Sequence, residues 1–181
     1  MEQTIDMQPR TSQLLDRLSE SATIAMSRKA RELKAAGRDI ISLSLGEPDF
    51  DTPDPIKAAG IRAIEENHTH YPPVPGFADV RQAICAKLQR DNGLSYQPDQ
   101  IVVSTGAKHS LMNVVLSLVD TGDEVILPTP FWVSYADMVN LAGGQVVEVH
   151  TGIAQDFKMT ADQLRHALTE RTRVVMLNSP H

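Results

Sequence analysis

Cysteine is almost missing from this chain: among 181 residues only Cys85 carries a thiol. No disulfide can close within the chain, and that usage fits a reducing cytoplasm. Cys85 falls on the Val80/Ile84/Leu88 side of a predicted helix, where a buried, inert thiol is expected. Basic charge is in deficit, with 17 Lys and Arg against 23 Asp and Glu and a net charge of −6. That balance argues against a nucleic-acid partner. No apolar run approaches the ~20 residues needed to span a bilayer, so no membrane segment is expected. The opening Met1-Glu2-Gln3-Thr4-Ile5-Asp6 has neither a basic flank nor an apolar stretch, and no secretory signal is expected there. Internal repeats and low-complexity tracts are absent. His68 and His70 have no further ligand at helical spacing, so no metal site is expected. The glycine and lysine spacing of a nucleotide P-loop is missing too.

What is present is ordinary for a globular protein, with 41% apolar and 22% charged residues. The length fits one domain, or one domain with part of another, and can bury roughly 70% of the unfolded surface. Residues up to about Arg10 read as loosely attached. Apolar spacing predicts helices over 23–36, 55–66, 77–91, 109–119 and 131–141, and a last one opened by the capping box of Thr160 and Gln163. Asp54 is the expected N-cap of the second helix, with Pro55 at its first position and Ile56, Ala59, Ala63 and Ile64 turned inward. Strands are expected over 40–45, 101–104, 124–127, 145–149 and 173–177. From Ile101 onward the order is β-α-β-α-β-α-β. That alternation implies an α/β fold of three layers, a mainly parallel sheet with helices on both faces.

One turn carries chemistry. Strand Ile101–Ser104 is followed by Thr105-Gly106-Ala107-Lys108 and then by a helix with Leu111, Val114, Val115, Leu118 and Val119 on one face. The first turn of a helix has N–H groups without intrahelical acceptors, and the peptide dipoles place partial positive charge there. A phosphate is held by such an end. Gly106 allows close approach of the backbone, and Lys108 adds a full charge.

Five segments together resemble class I aminotransferases, the fold-type I enzymes that use pyridoxal 5′-phosphate. They are Ser44-Leu45-Gly46-Glu47-Pro48-Asp49-Phe50-Asp51-Thr52-Pro53; Tyr71 with Gly76 and Val80-Arg81; Thr105-Gly106-Ala107-Lys108; Pro128-Thr129-Pro130-Phe131-Trp132-Val133-Ser134-Tyr135; and Asn178-Ser179-Pro180. The similarity runs from about Leu14 to the last residue, and within the class it points to the bacterial aspartate and prephenate branch. It implies transfer of an amino group between an amino acid, aspartate or glutamate in the first place, and a 2-oxo acid in a cytoplasmic homodimer. It further implies that Gly106, Ala107 and Lys108 cradle the cofactor phosphate and that Tyr71 reaches the phosphate of the neighbouring subunit. Trp132, which read alone is a core residue of an amphipathic helix, would stack on the pyridine ring and touch substrate. Gly46 would meet the substrate α-carboxylate, and Lys108 would also pair with the distal carboxylate of a dicarboxylic substrate.

The resemblance also implies an incomplete set. Lys29, Lys34, Lys57, Lys87, Lys108 and Lys158 all lack the surroundings of the family's Schiff-base lysine, so no catalytic residue is assigned within this chain. Residues 1–50 would be the N-terminal arm and part of the small domain, and 51–181 the first part of the large, cofactor-binding domain. The alternative is a truncated, inactive fragment or an interaction module that pairs through an open sheet.

Overall fold

The computed structural model describes residues 11–18 and 20–179. The expectation for the first ten residues, and the Pro180 end of the last family segment, lie outside these. Two compact units emerge, one of Gly46–Leu111 and one that joins the chain up to Leu45 with the chain from Met112.

The second unit is built on three parallel strands, β1 (Glu124–Thr129), β2 (Gln145–His150) and β3 (Thr172–Val175), in the order β2-β1-β3. β1 pairs with β2 from Glu124↔Gln145 to Thr129↔His150, and with β3 from Glu124↔Thr172 to Ile126↔Val175 with one irregularity after Glu124. The strand expected to stop at Leu127 thus continues through Pro128, at a point where the β3 register has already ended. Its Val125, Ile126 and Leu127 are fully buried. Such a run is apolar on both faces because helices cover both. The chain steps one way from β1 to β2 through α5 (Ser134–Ala142) and back past β1 to β3 through α6 (Ala161–Ala167). Right-handed crossovers in opposite directions put those two helices on opposite faces of the sheet. Val139 of α5, with Val115 and Val119, completes the core.

The turn after α5 is fixed by sterics. Gly143 takes the left-handed conformation at φ 88° and ends the helix. A Cβ on Gly144 would stand 2.6 Å from Val119 Cγ1 and 3.1 Å from Val139 Cγ1. The capping box at α6 is formed as expected, with the Thr160 hydroxyl accepting the Gln163 N–H. The first helix, α1 (Ala22–Ala35), also matches its expected span.

The Gly46–Leu111 unit contains α2 (Asp54–Glu65) and α3 (Ala78–Asn92), and the first turn of α4 (Ala107–Leu118). Gly93, left-handed at φ 67°, ends α3. Arg81 ties the unit together, donating to the carbonyls of Gly76 at 3.2 Å and Pro98 at 2.7 Å. None of the residues of this unit is fully buried.

Several expectations are corrected. Residues 40–45 and 101–104 belong to no strand, because no partner chain segment offers them a ladder among the described residues. Val103 makes one backbone bond, to Pro75 at 3.0 Å, and Leu43 is 91% exposed. The cap of α2 is Pro53, one residue earlier than expected, and its Ile56, Ala59 and Ile64 are exposed rather than inward, with only Ala63 half-buried. Phe131–Val133 precede α5 instead of opening it. Cys85 is half-buried, not enclosed.

Candidate functional site

In the Gly46–Leu111 unit the expected anion turn takes shape at the start of α4. Gly106 sits at φ 82°, a conformation that L side chains rarely adopt. Its carbonyl accepts the Ser110 N–H at 3.4 Å and so closes the first helical turn, while its own N–H donates to Ser104 O at 2.8 Å. Nothing lies within 4 Å of the place a Cβ would occupy. Backbone conformation, then, and not crowding, demands glycine here, and the space before the turn is open. Ala107, Lys108 and His109 make up the first turn, all exposed. His109 had no expected role. Its Nδ1 accepts the Thr105 N–H at 3.2 Å, which places the proton of the neutral ring on Nε2. The ring thereby braces the residue before Gly106, much as a third-position Glu or Gln reaches back in a capping box.

Two other expected residues lie in the same unit. Gly46 is exposed, with nothing within 4 Å of the place a Cβ would occupy. Tyr71 stands wholly in solvent. Neither is joined by a backbone–backbone hydrogen bond to Gly106 or Ala107 among the described residues.

The sheet-bearing unit offers a second cluster at the carboxyl ends of β1 and β3. These neighbours are where the chain reverses its direction across the sheet, and ligands of open parallel sheets bind at such switch points. β1 leaves the sheet through a cis Thr129–Pro130 bond and reaches Trp132. Trp132 is 38% exposed, and its ring meets that of Tyr135 edge to face, centroids 5.5 Å apart at 84°. The Tyr135 N–H donates to Trp132 O at 2.9 Å. Tyr135 is buried, and its hydroxyl donates to Asn178 Oδ1 at 2.9 Å. Asn178 follows β3, whose pairing is prolonged by the Met176 N–H donating to Ile126 O at 3.0 Å. Sequence reasoning had Tyr135 and Asn178 inside motifs but gave them no role. The signal available was a tyrosine one helical turn after the tryptophan and an asparagine just past an apolar strand.

At the opposite, amino ends of the strands the charges are structural. Buried Glu124 accepts the Thr169 hydroxyl at 2.6 Å and is paired with Arg171. Asp123 accepts the Asp120 N–H at 2.9 Å and pairs with Arg173 at 3.2 Å. The Thr169 hydroxyl, then Arg171, hold the Glu124 carboxyl below its ordinary range. The Asp120 amide does the same for Asp123, with Arg173 adding to it. No group of His, Cys, Asp and Glu among the described residues could hold a metal ion. No helix among them is long and apolar enough to cross a membrane.

Comparison with known proteins points one way. The family model for aminotransferase class I and II matches residues 38–181. Aspartate/prephenate aminotransferase from Cereibacter sphaeroides is 53% identical over 169 residues, covering 93% of this chain and 42% of that protein. Aspartate aminotransferase from Geobacillus stearothermophilus is 51% identical over 164 residues, 90% of this chain and 42% of the relative. Among solved structures, the Thermus thermophilus aspartate aminotransferase with maleate superimposes with a TM-score of 0.91 at 41% identity, covering 96% of this chain and 46% of that one. The chain therefore spans less than half the length of the curated relatives it matches.

Proposed function

The chain belongs to the class I and II aminotransferases, and on that premise we propose that it is the phosphate- and ring-holding part of a pyridoxal 5′-phosphate-dependent aminotransferase that uses aspartate or glutamate and a 2-oxo acid. The observation that carries this reading is the 53% identity, over nearly the whole chain, to a relative named aspartate/prephenate aminotransferase. The expected residues suit the cofactor. A phosphate dianion asks for main-chain donors and positive charge. Gly106 in its left-handed turn, Ala107 and Lys108 at the start of α4 provide that chemistry. A planar heteroaromatic ring asks for a flat, part-exposed partner, which Trp132 provides.

When bound, the cofactor supplies an electron sink for the pair released at the substrate α-carbon. The chain's own residues bind and orient. Gly106 sets the turn that aims the N–H groups of Ala107 and Lys108 at the phosphate, and the Lys108 side chain neutralises part of its charge. The Trp132 face fixes the plane of the ring. Gly46 presents its backbone to the α-carboxylate, and Lys108 pairs with the distal carboxylate of the substrate. Tyr71, wholly exposed in the single chain, reaches the phosphate held by a second copy in a homodimer. Residues 1–50 form the arm and part of the small domain, and 51–181 the first part of the large domain, in a cytoplasmic enzyme.

The Lys108 assignment is tested with Lys108→Ala in the complete protein, by comparing kcat/KM for aspartate with that for a neutral amino acid. Loss of a charge-assisted hydrogen bond lowers the aspartate value by about ten- to a hundredfold relative to the neutral substrate. Equal losses for both would leave Lys108 a phosphate ligand alone and remove it from substrate choice.

A further inference from the structure

We infer that Tyr135 is a positioning residue that fixes the plane of the Trp132 ring and couples it to Asn178 beyond β3. The inference rests on the proposed stacking role of Trp132 and deepens it. Three observations carry it. Tyr135 makes two separate holds on Trp132, a backbone hydrogen bond to its carbonyl at 2.9 Å and an edge-to-face ring contact at 5.5 Å. The backbone bond sets the turn between the two residues, and the ring contact sets the tilt of the indole. Tyr135 is itself only 8% exposed, so its ring has little room to turn. A buried phenol also needs a hydrogen-bond partner, and that partner is Asn178 Oδ1 at 2.9 Å.

The three residues come from different places in the chain. Trp132 lies between β1 and α5, Tyr135 is in the first turn of α5, and Asn178 follows β3. One phenol thus joins the exits of two adjacent parallel strands at the switch point. A half-exposed indole free to rotate would lose orientation each time it met a planar ligand. Held edge-on by a buried, hydrogen-bonded ring, it keeps one plane before any ligand arrives, and binding pays less ordering cost. The hydroxyl of Tyr135 determines how firm that hold is, because it ties the phenol to the segment after β3.

The single tryptophan of the 181-residue chain makes the test direct. The long-wavelength edge of the near-ultraviolet dichroism, beyond the absorption of the three tyrosines, and acrylamide quenching of tryptophan emission report Trp132 alone, and pyridoxal 5′-phosphate is titrated by its quenching of the same emission. Tyr135→Leu is expected to lose the tryptophan dichroism band, raise quenching by acrylamide and weaken pyridoxal 5′-phosphate about three- to tenfold, with far-ultraviolet dichroism unchanged. Tyr135→Phe keeps the ring and gives a partial loss of the band, because only the link to Asn178 is cut. An unaltered band and unaltered quenching in Tyr135→Leu would overturn the inference. Should that variant fail to fold, Tyr135→Phe decides, and a band and affinity identical to the parent's would overturn the coupling to Asn178. A parent chain whose Trp132 emission ignores pyridoxal 5′-phosphate would sink the proposed function instead, while the dichroism still judges the geometry.

Discussion

β1 and α2 carry similar apolar content and meet opposite fates. In β1, Val125, Ile126 and Leu127 are sealed on both faces. In α2, Ile56, Ile61 and Ile64 are each more than half exposed, and no residue of that helix is buried. The difference does not lie in hydrophobicity. β1 has a parallel neighbour on each side to take its backbone groups, and crossover helices to cover its side chains. α2 satisfies its own backbone, so it forms without any partner for its apolar stripe. A strand needs neighbours to exist at all, and a helix does not. That is also why 40–45 and 101–104, apolar enough to be strands, join no ladder here while all six expected helices form.

The sharpest way to break this contrast is a pair of truncations. Leu127→Ala empties a filled site in the sheet and should cost about 2–5 kcal/mol, read as a lower denaturation midpoint in urea. Ile64→Ala on α2 should stay within about 0.5 kcal/mol. Equal losses would mean that the α2 face is covered and the contrast false. Next in size is a pair of glycines. Gly144→Ala drives a methyl into Val119 at 2.6 Å and should cost about 1–3 kcal/mol. Gly60, inside α2 with nothing within 4 Å of its missing Cβ, behaves in the opposite sense. Gly60→Ala should raise helix stability by up to about 1 kcal/mol, visible as increased helical dichroism.

A smaller effect is confined to acid. Glu124 and Asp123 have folded carboxyl values below their unfolded ones. Their contribution is therefore complete above the ordinary carboxylate range and drains away as pH falls through the folded values. Thermal midpoints followed from pH 6 downward should decline, and Glu124→Gln should flatten that decline. Because both groups clamp the amino ends of β1 and β3, the acid loss belongs to the sheet. Helical signal from α2 and α3 falling first on acidification would contradict this.

Much of this molecule was legible in the sequence for a physical reason. The spans of α1 and α3 and the Thr160–Gln163 capping box are local features, set by residues within a turn of one another, and they read to within a residue, whereas α5 begins at Ser134 rather than Phe131. The parallel sheet was legible from the β-α alternation that starts at Ile101, although the first strand of that series, 101–104, joins no sheet. What could not be read was which apolar faces find a partner, since that depends on distant segments. Ile56 and Ile64 have the right spacing to face inward and nothing here to face. The candidate site divides in the same way. Gly106 was visible because an apolar run, a glycine turn and a helix follow one another within a few residues. The Tyr135–Asn178 bond was not, because 43 positions separate its ends and no local rule pairs a tyrosine with a distant asparagine.

The least disruptive change tests the site within the exposed unit. Gly106 has φ 82° and open space beyond it, so Gly106→Ala meets no clash and pays only for the left-handed backbone, about 1–2 kcal/mol at most. Spent on one exposed turn with no buried neighbour, that strain is relieved by letting the turn move, and the melting midpoint should barely change. The amides we propose to hold the phosphate, however, are aimed by that same φ. Gly106→Ala should therefore weaken pyridoxal 5′-phosphate by about tenfold with little loss of stability, whereas Gly144→Ala should do the reverse. A Gly106→Ala protein that loses stability but holds the cofactor as before would make Gly106 a structural turn and return the phosphate to other residues. The contrast between a sealed sheet and an open helical unit would then be one of packing alone, with no division of labour behind it.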